Sequence, residues 1–267
     1  MTKVIYPDEL SLVTIPIRLF FRETKQELYT GTAFVYEYNG KLYLITNWHI
    51  VTGLCPKTKK PITDHGGIPN DLVMTLRTSS TKPEWNSFTL ELYNNNISDW
   101  LIHPVYKERV DVVAMELELP DNFAGIIKPI NSYKFDDFDI KIADDVFVLG
   151  YPYSLTGGGS FPIWKRGSVA TEPEIDYEGL PKYFIDTATK SGMSGAPVIF
   201  RRVGFHNKSG KNLNLQTVVG EIQNFVGIYS GRVIGENDFD AQLGIVWKRD
   251  VIEEIINGQL RDNRNFV

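Results

Sequence analysis

Ser191-Gly192-Met193-Ser194-Gly195-Ala196-Pro197-Val198-Ile199-Phe200 decides how the rest of the chain is read. A serine stands between two glycines, and a proline and an apolar, β-branched run follow it. Val198-Ile199-Phe200 predicts a buried strand. The glycines predict a tight turn whose backbone N–H groups can approach a ligand closely. A hydroxyl held beside free N–H groups is what acyl transfer requires. The oxygen attacks a carbonyl, and the N–H groups hold the oxyanion that forms. An ordinary Gly-Ser turn entering a strand reads the same way on this segment alone, so the neighbouring sequence has to decide.

Upstream, Ile15 to Phe21, Gly31 to Tyr38 and Lys41 to Thr46 read as three strands, the last two joined by the hairpin signal Asn39-Gly40. Asn47-Trp48-His49-Ile50-Val51 follows directly. Leu54 to Asn70 is a polar loop. Asp71 to Arg77, Ser87 to Tyr93 and Arg109 to Leu117 read as further strands, with a turn at Asn94-Asn95-Asn96. Pro120 to Phe138 has no strong periodicity and serves as the connector. The strand pattern restarts at Asp145 to Pro152 and continues with Trp164 to Thr171, Tyr183 to Ala188, Ala196 to Arg201, Gln216 to Tyr229 and Gly244 to Trp247. A helix closes the chain. Asp250 stands at its cap with Glu253 at the capping-box spacing, Val251, Ile252, Ile255 and Ile256 form one apolar face, and Gly258 is its stop. Many short strands and no long helix predict an all-β protein of two small antiparallel barrels.

The 267 residues leave room for one large or two modest domains. A content of 42% hydrophobic and 23% charged residues is that of a globular protein. A net charge of −5 with no long basic run points away from nucleic acid and from anionic membranes. The single cysteine, Cys55, excludes an intramolecular disulfide and fits a reducing compartment, and its Pro-Lys loop suggests an inert thiol. The first ten residues lack the pattern of a signal peptide, and no run approaches the roughly 20 apolar residues of a membrane span. The expected setting is the cytoplasm.

A nucleophilic serine needs a base, and histidine suits that role because its unperturbed pKa lies near 6.5. Of four histidines, His65 and His206 lie in polar loops and His103 at a strand edge before Pro104. His49 alone sits at the end of an apolar strand, where a rigid element can place it. Among the acidic residues Asp111 heads the apolar run Val112-Val113-Ala114-Met115. A carboxylate there is partly buried and needs a partner. The bland alternative is a strand-end aspartate bonded to local backbone. No His/Cys cluster has metal-ligand spacing, and no cofactor is expected.

Thr46-Asn47-Trp48-His49-Ile50-Val51, Asp111-Val112-Val113-Ala114-Met115 and Gly192-Met193-Ser194-Gly195-Ala196-Pro197 resemble the three signature blocks of the chymotrypsin-like (trypsin-like) serine peptidases, in that family's order. His49, Asp111 and Ser194 are 62 and 83 residues apart, which suits one barrel carrying His and Asp and a second carrying Ser. Gly31-Thr32-Ala33-Phe34, Val148-Leu149-Gly150-Tyr151-Pro152 and Gly244-Ile245-Val246-Trp247 are also similar to family segments. The closest likeness is to the disulfide-free bacterial branch with the heat-shock-type proteases.

The resemblance implies Ser194 as nucleophile, His49 as general base and then acid, and Asp111 as the group that orients the imidazole. It implies an oxyanion hole from the N–H groups of Gly192 and Ser194. Tyr229-Ser230-Gly231-Arg232 would be the edge strand that receives an extended substrate. Ala188, six residues before the nucleophile, would floor the specificity pocket beside Thr189, and Arg232 would narrow it or reach an acidic group. An uncharged floor predicts a small or medium apolar residue at the cleaved position, with no requirement for Lys or Arg.

Met193 stands where zymogen-activated relatives carry an aspartate that pairs with a freed N-terminus. Methionine cannot make that pair, so the oxyanion loop has to be set in another way, a partner or substrate being one route. Ala196 replaces the second glycine of the common block. It also breaks the Gly-x-Ser-x-Gly pattern of α/β-hydrolases, whose triad order already differs.

The fold expected is therefore two antiparallel six-stranded β-barrels with a C-terminal helix. Residues 1–135 carry His and Asp, and residues 136–267 carry the serine and the helix. The function expected is that of a serine endopeptidase acting on protein or peptide substrates, with room for a regulatory protein partner. A catalytically silent binding module of the same fold and an esterase-like acyl hydrolase are the alternatives.

Overall fold

The computed structural model describes residues 7–263 apart from 64–65, 80–81, 83, 96, 121–122, 208–214, 216 and 234–241. The expectations for His65, Asn96 and Gln216 lie outside the described residues.

The strands form where apolar side chains alternate or run together. In the first half they are β1 (Thr14–Phe21), β2 (Gln26–Tyr38), β3 (Lys41–Thr46), β4 (Asp71–Arg77), β5 (Trp85–Glu91), β6 (Tyr93–Asn94), β7 (Ile97–Ser98), β8 (Leu101–Ile102) and β9 (Val113–Glu116). A short helix, α1 (Trp48–Thr52), follows β3 and ends at Gly53 in the left-handed conformation. After the connector come β10 (Asp145–Gly150), β11 (Ile163–Val169), β12 (Lys182–Asp186), β13 (Pro197–His206), β14 (Val218–Arg232) and β15 (Leu243–Lys248). Helix α2 (Val251–Gly258) and β16 (Leu260–Arg261) complete the described elements.

Every named strand pairing is antiparallel, but the two halves differ. The second is a closed six-stranded barrel in the order β10-β11-β12-β15-β14-β13. The first is not the six-stranded barrel expected. It is an eight-stranded sheet in the order β16-β8-β9-β3-β2-β1-β4-β5, with β6 and β7 apart as a two-stranded ribbon. Two strands of that sheet were not foreseen, β8 and β16, each only two residues long. The sequence gives no period-2 signal over so short a length. β16 comes from the far end of the chain and pairs Leu260 with Ile102 and Arg261 with Leu101.

Helix α2 presses Val251, Ile252, Ile255 and Ile256 into a core that also takes Phe34 and Ile45 from the first sheet and Ile199 and Trp247 from the barrel. Its ends fall at Asp250 and Gly258 as expected, but the capping bonds differ. Asp250 makes no side-chain cap bond, and its carboxylate lies 3.5 Å from the Arg249 guanidinium. The left-handed residue that ends the helix is Gln259. Gly258 is small for another reason: a Cβ there would lie 2.7 Å from the Pro104 ring.

Strand β14 of the barrel is irregular. Val198 pairs with Gly227 and Ile199 with Phe225, so Val226 is an extra residue that bends the strand. Gly227 turns beneath the neighbouring strand, and a Cβ on it would stand 2.1 Å from the Trp247 carbonyl oxygen. Gly227→Ala is therefore expected to cost about 3 kcal/mol, at the top of the usual overpacking range. The corresponding fall in melting temperature, roughly 6–12 °C, can be read by circular dichroism; an unchanged melt would contradict this packing.

Candidate active site

His49 is carried by α1, the single helical turn that follows β3, so its backbone is set by a strand buried in the first sheet. Asp111 lies two residues before β9, the strand that pairs with β3 at Thr46–Val113 and Ile45–Ala114. The ladder thus brings two residues distant in sequence to one sheet end. Asp111 is 3% exposed. A carboxylate so deeply placed requires donors, and it has them. Oδ1 accepts the His49 backbone N–H at 2.8 Å, and Oδ2 lies 2.6 Å from His49 Nδ1. Oδ2 also accepts a very short hydrogen bond from the Ser230 hydroxyl. The backbone carbonyl of Asp111 accepts from the fully buried Asn47 side chain at 2.7 Å. With Nδ1 held by the carboxylate, Nε2 is the ring nitrogen left to meet substrate-side groups.

Ser194 sits in the turn between β12 and β13. Gly192 and Gly195, on either side, have φ of 92° and 85°. A Cβ on Gly192 would lie 2.4 Å from the Tyr151 carbonyl, and one on Gly195 would lie 2.0 Å from the Thr32 carbonyl. Both glycines are therefore demanded by conformation and by space. Met193 is fully buried in the barrel core with Val148, Ala196 and Val198, where it anchors the turn. Gly192 and Ser194 are described residues, and neither backbone N–H has an acceptor in the structure. The two N–H groups expected to form an oxyanion hole are thus available. His49 and Ser194 share no hydrogen bond. Ser194 Oγ lies 3.9 Å from where a Cβ of Gly231 would stand, next to the Ser230 that bonds Asp111.

A match to the model of the trypsin-like peptidase domain spans residues 31–203, from β2 to β13. The chain belongs to the trypsin-like peptidase family. It is a serine-type peptidase with a mostly β, trypsin-like fold. Among solved structures, the active form of the Rv3671c protease of M. tuberculosis is similar at 18% identity and a TM-score of 0.49, covering 100% of this chain and 95% of that one. An inactive mutant of the same protease has 18% identity, a TM-score of 0.47 and coverage of 96% of each chain. A comparison with curated proteins finds no match.

The other residues singled out in this peptidase are placed as follows. Thr189 and Tyr229 are buried, and their hydroxyls share a very short hydrogen bond. Burial pushes the Tyr229 hydroxyl up to about 12, against the opposing pull of the Thr189 bond and of the Arg232 charge. Ala188 and Arg232 are exposed. Tyr229 is not a free edge: its N–H donates to the Ala196 carbonyl and its carbonyl accepts from Gly195, each at 2.9 Å. Past Ile228, β14 pairs only with β15, so the strand is open on one side from Ser230 onward. Ser230 has a second task that its expected place on the edge strand did not reveal, through its bond to Asp111.

His103, expected at a strand edge, and His206, expected in a loop, are both buried. His103 Nδ1 accepts from the N–H groups of Val105 and Tyr106, which places its proton on Nε2, 2.7 Å from Glu254 of α2. His206 ends β13 with Nε2 2.9 Å from the Gly220 carbonyl. Burial raises the Cys55 thiol, but hydrogen bonds from Thr58 and Lys57 outweigh it and leave it below its ordinary value. Among the described residues no group of three or more His, Cys, Asp or Glu is arranged to hold a metal ion. No described helix is long and apolar enough to cross a membrane.

A hydrogen bond to a buried charge contributes more than a neutral one, about 1.5–3 kcal/mol. Ser230→Ala should lower the free energy of unfolding by that amount in a urea titration. No change would mean that the Asp111 carboxylate does not depend on this hydroxyl.

Proposed function

We propose that the protein is a serine endopeptidase whose catalytic residues are His49, Asp111 and Ser194. The observation that carries this reading is the buried carboxylate of Asp111, which accepts from both the backbone N–H and the ring of His49. Such a pairing fixes the imidazole tautomer and stabilises the imidazolium formed during reaction. Ser194 Oγ attacks the scissile carbonyl carbon while His49 Nε2 takes its proton. The carbonyl oxygen becomes an oxyanion held by the N–H groups of Gly192 and Ser194. The imidazolium then protonates the leaving amine, the C–N bond breaks, and an acyl-enzyme remains. Water, deprotonated by His49, releases the acid by the reverse sequence. The His–Ser contact is commonly long without substrate and tightens on binding.

The open side of Ser230, Gly231 and Arg232 would pair with the substrate backbone, continuing from Tyr229. Ala188 at the expected pocket floor is uncharged, and the Arg232 charge lies near enough to act on the Tyr229 hydroxyl, which supports cleavage after small or medium uncharged residues rather than Lys or Arg. Residues 1–135 and 136–267 would be the two lobes, apart from Leu260 and Arg261, which return to the first sheet, with the site at their seam. The substrates would be proteins or peptides in the cytoplasm, and a regulatory protein partner has room to act there.

A fluorophosphonate probe should label the wild-type protein and leave Ser194→Ala unlabelled; a wild type that never labels would overturn the reading. Asp111→Asn should lower kcat by about 10⁴ through loss of the productive tautomer, measured on a peptide substrate. Amide and ester substrates with the same side chain, compared in parallel, separate a peptidase from an esterase.

A further inference from the structure

The turn bearing Ser194 belongs to the second half of the chain, yet two of its carbonyls, those of Gly192 and Ser194, are held by the first. Thr32 of β2 is fully buried. Its hydroxyl donates to the Gly192 carbonyl at 2.8 Å and accepts from the Tyr151 N–H at 3.3 Å. Its backbone N–H donates to the Ser194 carbonyl at 2.8 Å. Its own carbonyl accepts from the Thr46 hydroxyl at 2.9 Å, which ties it to the strand leading into His49. The remaining carbonyls of the turn are also taken. Ser191 accepts from the Tyr153 N–H at 2.7 Å, and Met193 from the Ala196 N–H at 3.1 Å.

In a trans peptide the C=O and N–H point in opposite directions. Holding the Ser191 and Met193 carbonyls against protein therefore turns the N–H groups of Gly192 and Ser194 outward. The Thr32 hydroxyl fixes the peptide between these two units. If the Gly192–Met193 peptide rotated, its carbonyl would leave a buried donor unpaired, and that costs free energy.

We infer that the Thr32 hydroxyl is a positioning group that keeps the oxyanion-binding turn of this peptidase in its working form without an N-terminal ion pair. The inference rests on the reading of Gly192 and Ser194 as oxyanion donors. With Met193 unable to form that pair, the turn is set from within the chain, and no partner or substrate is needed to set it. The tyrosine N–H fixes which way the hydroxyl points, because one lone pair is occupied and the proton is directed to Gly192.

The test uses two pairs of variants that differ in the hydroxyl. Wild type is compared with Thr32→Val, and Thr32→Ser with Thr32→Ala. Removing an oxyanion donor outright costs about 10²–10³ in kcat; loosening one indirectly should cost about 10–100-fold. In each pair the member without the hydroxyl should lose kcat by that factor, with KM changed less than about threefold. Affinity for a peptide aldehyde, which forms an oxyanion adduct, should fall in parallel. Thr32→Ser should stay within about threefold of wild type. If Thr32→Val does not fold, as judged by its thermal melt, the Ser/Ala pair reads the same quantity. Equal kcat within either folded pair overturns the inference, and so does a loss that appears in KM rather than kcat. Wild-type protein that neither hydrolyses peptides nor labels with fluorophosphonate removes the proposed function itself. An active wild type with indifferent Thr32 variants removes only this inference.

Discussion

Two parts of the chain meet at a buried threonine. Thr32 lies in a strand of the open sheet, and through one N–H and one hydroxyl it holds two carbonyls of the turn that precedes β13 in the closed barrel. Thr32 is buried, so breaking these bonds would leave its donors unpaired. The glycine at 195 follows from that contact, and the one at 192 from the Tyr151 carbonyl beside it. Backbone meets backbone here, and the Thr32 carbonyl leaves no space for a Cβ on Gly195. Met193 completes the anchor from the other side, as an apolar plug in the barrel core. One strand therefore fixes the geometry of a loop more than 150 residues away along the chain.

The second constraint is a charge taken out of water. Asp111 is held by donors from three directions: the His49 backbone, the His49 ring and the Ser230 hydroxyl. The last comes from β14 of the barrel, so the carboxylate too is satisfied only when both halves are in place. Beneath it, Trp48 of α1 donates to Asp262 at 2.8 Å, and β16 just before that aspartate closes the edge of the first sheet against β8. The end of the chain thus braces the helical turn that carries His49. The same end bonds His103 through Glu254 of α2, which explains why a histidine at a loop-like Pro104 is buried.

Much of this was legible beforehand because the relevant signals are local. The run Val198-Ile199-Phe200, the Asn39-Gly40 turn and the apolar face of the last helix are patterns within a few residues, and each appears where expected. Asp250 and Gly258 stand at the helix ends as expected, but tertiary and neighbouring contacts set what they do there. Asp250 lies beside Arg249, and Gly258 is small to admit Pro104. The first half was expected to close as a barrel, but strand number and closure are set by pairings such as β8 with β16. A two-residue strand from the other end of the chain leaves no periodic trace in the sequence.

The sequence by itself determined the all-β class, the strand order along the chain and the residue types at positions 49, 111 and 194. Those follow from side-chain chemistry and short-range periodicity. It could not reveal that Thr32 holds the serine turn, that Ser230 bonds Asp111 or that Tyr229 is already engaged by Gly195 and Ala196. Only the tertiary structure decided these, because a hydrogen bond between strands distant in sequence depends on where the backbone travels in space, and threonine, serine and tyrosine look alike in a sequence whether they face water or a buried carbonyl.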